Sequence, residues 1–388
     1  MKKKVAVLGS TGSIGKKTLD ILASNQSKFE ILLLTTNKNI KILETQVRKF
    51  NVKNVIITSY KEYIEFKTKF KKKKINIYND FSNLQKIFKN KSIHYTMSSI
   101  TGLSGLEPTY DIIKYTKKIA IANKESIICA WNLILKELKK NKTQFIPVDS
   151  EHFSIWELLK NEKKENVKLI YLTASGGPFL KYKRKQYKKI KPRLAIKHPS
   201  WSMGKKISVD SATMMNKVFE VIEAQRIFDI NYNNIKILIH PKSYLHAVVV
   251  FNNGIIKFLF HETDMKIPIF NSLYFNNYKT IKTKKINFKI INNLKLKKPK
   301  NNQFPCLNFL KIIPKKISLF ETVLIASNDL LVEYFLKGKI TFLDIYKILN
   351  KIINNKKYSN LKKTKPINIK QIRSLHDNVR LITRSYCE

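Results

Sequence analysis

The chain has 388 residues, 43% of them apolar, with 75 Lys plus Arg against 27 Asp plus Glu and a formal net charge of +48. That length excludes a single small core, and two or three domains are expected, with enough apolar residues to bury them. Charge alone would point to nucleic acid, but lysine is enriched together with asparagine and isoleucine along nearly the whole chain, as at residues 71–74 and 297–302, and so diffuse an excess indicates compositional drift, not a binding surface.

Cys129, Cys306 and Cys387 are odd in number, far apart and without CxxC spacing, so free thiols in a reducing compartment are expected. Met1-Lys2-Lys3-Lys4 and the apolar run behind it resemble the start of a signal peptide, but the run stops at Gly9 after four residues, too few for a signal's apolar region. No uninterrupted apolar stretch reaches the length of a membrane helix. A soluble, cytoplasmic protein with no membrane contact and no specific nucleic-acid partner is expected.

Residues 5–8 read as a short buried strand, and Gly9-Ser10-Thr11-Gly12-Ser13-Ile14-Gly15 leads from it into a helical run at 16–22. Strand, glycine turn and helix bring backbone amides to a pyrophosphate, although the spacing is GxxGxxG rather than GxGxxG and glycine turns are common. A second strand at 31–34 ends in Thr35-Thr36-Asn37-Lys38-Asn39. An NAD-selective site would carry an acid there. Lys38 among Asn and Thr donors suits the 2′-phosphate of NADP instead, unless it is one more lysine of a lysine-rich chain. Continued alternation, with a strand at 55–57, a helix at 60–70 and another pair before the turn at 100–108, predicts a parallel, doubly wound sheet. The strand at 119–122 delivers Asn123-Lys124-Glu125-Ser126 to the end where ligands of such sheets bind; the plain alternative is that Asn123 or Ser126 caps the helix at 127–138.

If the chain stays extended through Asp149 and Glu151, their side chains share one face. Paired carboxylates then require a cation between them, and oxygen donors suit a hard one such as Mg²⁺ or Mn²⁺. The commoner reading of Asp-x-Glu at a strand end is a helix cap with an acid in the first turn, and His152 is as much a structural residue as a ligand. Beyond it the pattern looks antiparallel: a strand at 168–173 enters the turn Ala174-Ser175-Gly176-Gly177-Pro178-Phe179, which is either a phosphate cradle or a plain turn, and alternation at 235–240, 246–251 and 255–260 suits a sheet that pairs subunits. Between them, residues 198–220 read as a mobile Ser- and Gly-rich loop carrying Trp201 and Met203, passing into a helix near Ser211. Residues 276–305 lack periodicity and read as a linker, and amphipathic runs at 321–336 and 341–353 predict a helical domain.

The runs GSTGSIG from Gly9, ANKES from Ala122, PVDSEH from Pro147, SGGPF from Ser175, HPSWSMGKKISVDSATMMNK from His198 and IHPKS from Ile239, with SND at Ser327 to Asp329, resemble the 1-deoxy-D-xylulose 5-phosphate reductoisomerase family of the non-mevalonate isoprenoid route. The resemblance implies an α/β protein: an NADPH-binding, Rossmann-like doubly wound domain over 1–149, a catalytic α+β domain over 150–275 whose sheet serves dimerisation, a linker over 276–305 and a C-terminal α-helical domain over 306–388. It implies reduction and rearrangement of a sugar phosphate with NADPH and Mg²⁺, Mn²⁺ or Co²⁺, in a homodimer. Asp149, Glu151 and Glu220 would hold the metal and, with Lys124 and His198, form the catalytic set. Ser150, Ser175, Ser211, Asn216 and Lys217, together with Lys124, Glu151, His198 and Glu220, would bind substrate. Thr11, Gly12, Ser13, Ile14, Asn37, Lys38, Asn39, Asn123, Glu125 and Gly204 would line the cofactor site, and Trp201 and Met203 would form a lid. The chain departs from the family pattern at Val218-Phe219, where Gly-Leu is usual, at Asn37, and at Asp329 in place of Glu. An ordinary NADP-dependent dehydrogenase would account for the first domain but leave the three carboxylates without purpose.

Overall fold

Val5, Ala6, Val7 and Leu8 have no exposed surface, as a continuous apolar run requires when both faces of its strand are covered. They belong to β1 (Lys3–Leu8), central in a seven-stranded sheet of a computed structural model that describes residues 1–71, 74–88, 92–275 and 279–388. The sheet continues with β2 (Phe29–Thr36), β3 (Asn54–Ile57), β4 (Asn76–Tyr78), β5 (Ile93–Ser98), β6 (Thr116–Ile121) and β7 (Gln144–Pro147). Every pairing is parallel, and the order is β4-β3-β2-β1-β5-β6-β7. The order reverses direction between β1 and β5, which opens the crevice where such sheets take their ligands.

This sheet belongs to a compact unit of Met1–Ser126, Ile134–Asp149 and Met265–Ile281. The last segment differs from the division at 149/150 expected from chain order. Ile269, Phe270 and Leu273 of the helix Lys266–Leu273 are buried in the same cluster as Val5, Leu19 and Leu22, and Ser272 Oγ lies 2.7 Å from Tyr95 Oη, so apolar burial draws this helix to the first sheet.

The second unit comprises Ile127–Leu133, Ser150–Asp264 and Lys282–Glu388. Its sheet contains β8 (Val167–Ala174), β9 (Ile235–Ile239), β10 (Leu245–Phe251) and β11 (Ile256–Phe260), in the order β11-β10-β8-β9. β10 is antiparallel to both neighbours, but β8 and β9 are parallel. The sheet is therefore mixed, not antiparallel, because a long helical connection between β8 and β9 permits the crossover that a hairpin does not. Val221 and Ala224 of the helix Met215–Phe228 pack with Ile170, Leu172 and Val249 in its core.

The helices Phe320–Leu336, Phe342–Ile353 and Ile369–Ser385 complete this unit. Thr341 starts the second with a reciprocal cap: its hydroxyl accepts from Asp344 N–H at 3.3 Å while its own N–H donates to Asp344 Oδ2 at 2.9 Å. Of the expected linker, residues 276–278 lie outside the described residues, as do Lys72 and Lys73 of the lysine run. The remainder is largely irregular but tied down, since Lys297 exchanges both backbone hydrogen bonds with Ile239 at 2.7 and 3.1 Å. Among the described residues no helix is long and apolar enough to cross a membrane.

Candidate active site

A Cβ on Gly15 would lie 2.3 Å from Gly9 O and 2.6 Å from Ser10 Cα, so only glycine lets the helix Ser13–Ala23 begin against the turn that follows β1. Gly12 starts that helix without a side-chain cap, as suits an end whose amides serve a phosphate. Thr11 Oγ1 lies 2.7 Å from Thr36 Oγ1, fixing the turn to the end of β2. Beyond β2, Asn37 donates to Thr58 Oγ1 at 2.8 Å, and Lys38 and Asn39 are exposed with no acid among them.

Asn123 is spent differently. Its Oδ1 accepts from Ser126 N–H at 2.7 Å and its amide donates to Gly102 O at 2.8 Å and to Ile100 O, so it caps the helix Lys124–Lys140 and ties down the loop after β5. Lys124, 7% exposed, places Nζ 3.0 Å from Asp149 Oδ2, and Glu125 beside it is buried.

β7 stops at Pro147 and the helix Ser150–Leu158 follows, so Asp149 and Glu151 do not share a strand face. Glu151 is the acid of that helix's first turn, the commoner reading of Asp-x-Glu. The carboxylates nonetheless converge: one oxygen each of Asp149, Glu151 and Glu220 lies within 4.8 Å of the others. Lys217 Nζ sits 2.8 Å from Glu151 Oε1, also bonds Glu220 Oε2, and donates to Thr173 O at 2.6 Å. All three ammonium hydrogens are thereby used. Burial pushes the Lys217 pKa down, but the carboxylates of Glu151 and Glu220 outweigh it and hold the ammonium above its usual range. Ser150 Oγ donates to Glu151 Oε2 at 2.6 Å, and Asn216 donates to Glu220 Oε1. His152, fully buried, bonds the Glu220 carbonyl through Nε2 at 2.9 Å, and its Nδ1 lies 3.4 Å from Glu223 Oε2.

The stretch after Gly204 is two helices, not one. Lys205–Thr213 ends at Met214, whose φ of 62° is left-handed, and Met215–Phe228 begins there. Ser211 therefore lies in the last turn of the first helix, away from an anion-favouring amino terminus, whereas Asn216 and Lys217 occupy the first turn of the second. Ser211 still reaches the candidate phosphate turn. A Cβ on Gly177, at φ +67°, would lie 2.7 Å from Ser211 O, so glycine is what lets the turn after β8 close on this helix. Ser175 Oγ accepts from Gly177 N–H at 3.0 Å and lies 2.8 Å from His198 Nε2. His198 Nδ1 accepts from the N–H groups of Ser200 at 3.1 Å and Trp201 at 2.9 Å, which assigns the proton to Nε2 and makes it the donor to Ser175. Burial, reinforced by the Lys217 charge, lowers the His198 pKa to about 4, so the ring is neutral near pH 7. Residues 198–204 have no regular structure; Met203 is half-buried, and Trp201 meets the His246 ring edge-on at 5.9 Å.

Three family models match the chain: 1-deoxy-D-xylulose 5-phosphate reductoisomerase over residues 5–131, its C-terminal domain over 145–228, and the DXP reductoisomerase C-terminal domain over 261–382. The 1-deoxy-D-xylulose 5-phosphate reductoisomerase of Pelagibacter ubique (strain HTCC1062) is 56% identical over 380 residues, 98% of each chain. The chain belongs to the 1-deoxy-D-xylulose 5-phosphate reductoisomerase family. Its fold is that of the family: the reductoisomerase from Zymomonas mobilis in complex with NADPH superposes with a TM-score of 0.90 at 30% identity, covering all of both chains. A DOX-P reductoisomerase in complex with NADPH, fosmidomycin and magnesium gives 0.90 at 29% identity over 99% of this chain and 98% of that one.

Within this reductoisomerase fold, sequence reasoning missed the Thr173 carbonyl that takes the third Lys217 hydrogen, and the stacked pair His246 and His261, with ring centroids 3.6 Å apart. Both escaped because a backbone carbonyl leaves no sequence signal, and two isolated histidines 15 residues apart show none until β10 and β11 pair.

Proposed function

We propose that this chain converts 1-deoxy-D-xylulose 5-phosphate to 2-C-methyl-D-erythritol 4-phosphate in isoprenoid precursor biosynthesis, using NADPH and a divalent cation. The observation that carries the residue assignment is the convergence of Asp149, Glu151 and Glu220. Their all-oxygen donor set fits Mg²⁺ or Mn²⁺, and the ammonium of Lys217 already lying against two of them supports a site made for positive charge. When bound, the cation supplies a Lewis acid for adjacent substrate oxygens, and NADPH supplies the hydride for the rearranged aldehyde. The chain's own residues bind, orient and enclose. Ser175, His198, Ser211 and Asn216 hold the phosphate, joined by Lys217 once it gives up one of its present acceptors. Ser150 and Lys124 contact the substrate's polar carbons. Trp201 and Met203 close over the reacting atoms and keep water from the aldehyde.

Thr11, Gly12, Ser13 and Ile14 take the pyrophosphate of NADPH, and Asn37, Lys38 and Asn39 its 2′-phosphate. Glu125 and Gly204 complete the cofactor contacts, the latter with open space where a Cβ would stand, and Asn123 acts by holding the loop at 100–102. The protein works as a homodimer through the apolar β11 edge, and in the cytoplasm, in keeping with cysteines that form no disulfide among the described residues.

The test is NADPH oxidation by purified protein given 1-deoxy-D-xylulose 5-phosphate, with and without Mg²⁺ or Mn²⁺. Metal-dependent oxidation is expected; absence of turnover with metal, in folded protein that binds NADPH, would overturn the reading.

A further inference from the structure

Asp210 is 1% exposed, and a carboxylate so deeply buried requires partners. It has two. Oδ1 accepts from Asn328 Nδ2 at 2.8 Å, and Oδ2 lies 3.1 Å from Lys206 Nζ, one helical turn back. Lys206 also reaches Asp329 Oδ1 at 2.9 Å, and its ammonium lies 5.3 Å from the ring centroid of Phe219. Two polar links thus join the nine-residue helix Lys205–Thr213 to the long helix Phe320–Leu336. Burial of Val209 and Ala212 seats the short helix, and the two polar links add direction to that apolar contact. The helix begins at an uncapped Gly204 directly after the irregular 198–204 segment and is cut off by the left-handed Met214. Ser211, the residue after Asp210, is already packed on one side by Gly177.

We propose that Lys206, Asp210, Asn328 and Asp329 are positioning residues that set Ser211 for the substrate phosphate. This deepens the function proposed above and rests on Ser211 meeting that phosphate. A displacement of a few tenths of an ångström in a preorganised donor weakens the ligand it faces without touching the reacting atoms.

Asn328→Ala and Asp329→Asn are expected to raise KM for the sugar phosphate roughly tenfold, with kcat at saturation within about twofold and KM for NADPH unchanged. Asp329→Glu should restore near wild-type values, since it keeps the charge for Lys206. Inorganic phosphate, followed by ³¹P NMR line broadening, should bind the two impaired variants more weakly in parallel. If the variants instead lose melting temperature and kcat together with KM and phosphate binding unchanged, the network is only structural and the proposal fails. Should Asn328→Ala not fold, Asp329→Asn, at a carboxylate 14% exposed, carries the test. Wild-type protein without turnover would overturn the function alone, and the phosphate titrations would still decide the positioning role.

Discussion

The ammonium of Lys217 governs the charge of the site. Its ion pairs with Glu151 Oε1, at 2.8 Å, and with Glu220 Oε2 hold two carboxylates side by side in a mostly buried place, and paired carboxylates favour a cation between them. Glu220→Gln removes one charge and one oxygen donor while keeping the side chain's shape. It should lower metal-dependent turnover at least about a hundredfold and leave NADPH affinity, read by nucleotide fluorescence, within about twofold. Turnover retained at saturating metal would remove Glu220 from the ligand set. His198 makes a pH prediction. Its folded pKa, lowered to about 4 from 6.5, means that the unfolded chain binds the extra proton first, so its contribution to stability is complete above pH 6.5 and is lost as pH falls toward 4. Denaturant unfolding across that window should show a shallower pH slope in His198→Gln than in wild type; equal slopes would mean that the ring is not held neutral.

Among the elements, the amino-terminal turn is the least tolerant of change. The three atoms nearest a Cβ at Gly15 are all backbone, Gly9 O at 2.3 Å, Ser10 Cα at 2.6 Å and Ser10 C at 2.8 Å, and cannot swing aside as a side chain would. Gly15→Ala should cost about 2 kcal/mol or more in chemical denaturation and abolish NADPH binding, because the helix start must move from the turn it faces. Wild-type NADPH affinity in this variant would show that the turn does not hold the cofactor. The paired helices around Met214 show the limit of pattern reading at this scale. Met214, Met215, Val218, Val221 and Ile222 keep a helical period, yet the backbone turns left-handed at Met214. That break places Asn216 and Lys217 in a first turn, where the helix dipole favours an anion, and sends Ser211 to the end of the preceding helix.

For the whole molecule, the edge strand β11 exposes Ile256 and Phe258, at 52% and 44%, beside an unpaired ladder. A monomer would leave this as an aggregation-prone edge, and the homodimer proposed above would cover it. Phe258→Lys is expected to shift the protein from dimer to monomer in sedimentation; an unchanged dimer would place the interface elsewhere.

The chain's own residues determined the parallel doubly wound sheet, because strand, turn and helix signals are local and repeat in order, and they determined the candidate chemistry, because GSTGSIG, PVDSEH, SGGPF and the stretch from His198 carry their residue types in plain view. Sequence could not say that Glu151 stands on a helix rather than a strand, since Asp-x-Glu serves both. Nor could it assign Met265–Ile281 to the first unit or make β8 and β9 parallel, since both depend on which apolar surfaces meet. Only the tertiary structure brought Asp149, Glu151 and Glu220 to within 4.8 Å and set Lys217 against two of them. Residues 69 positions apart become neighbours through packing, and packing is a property of the folded core, not of any local run.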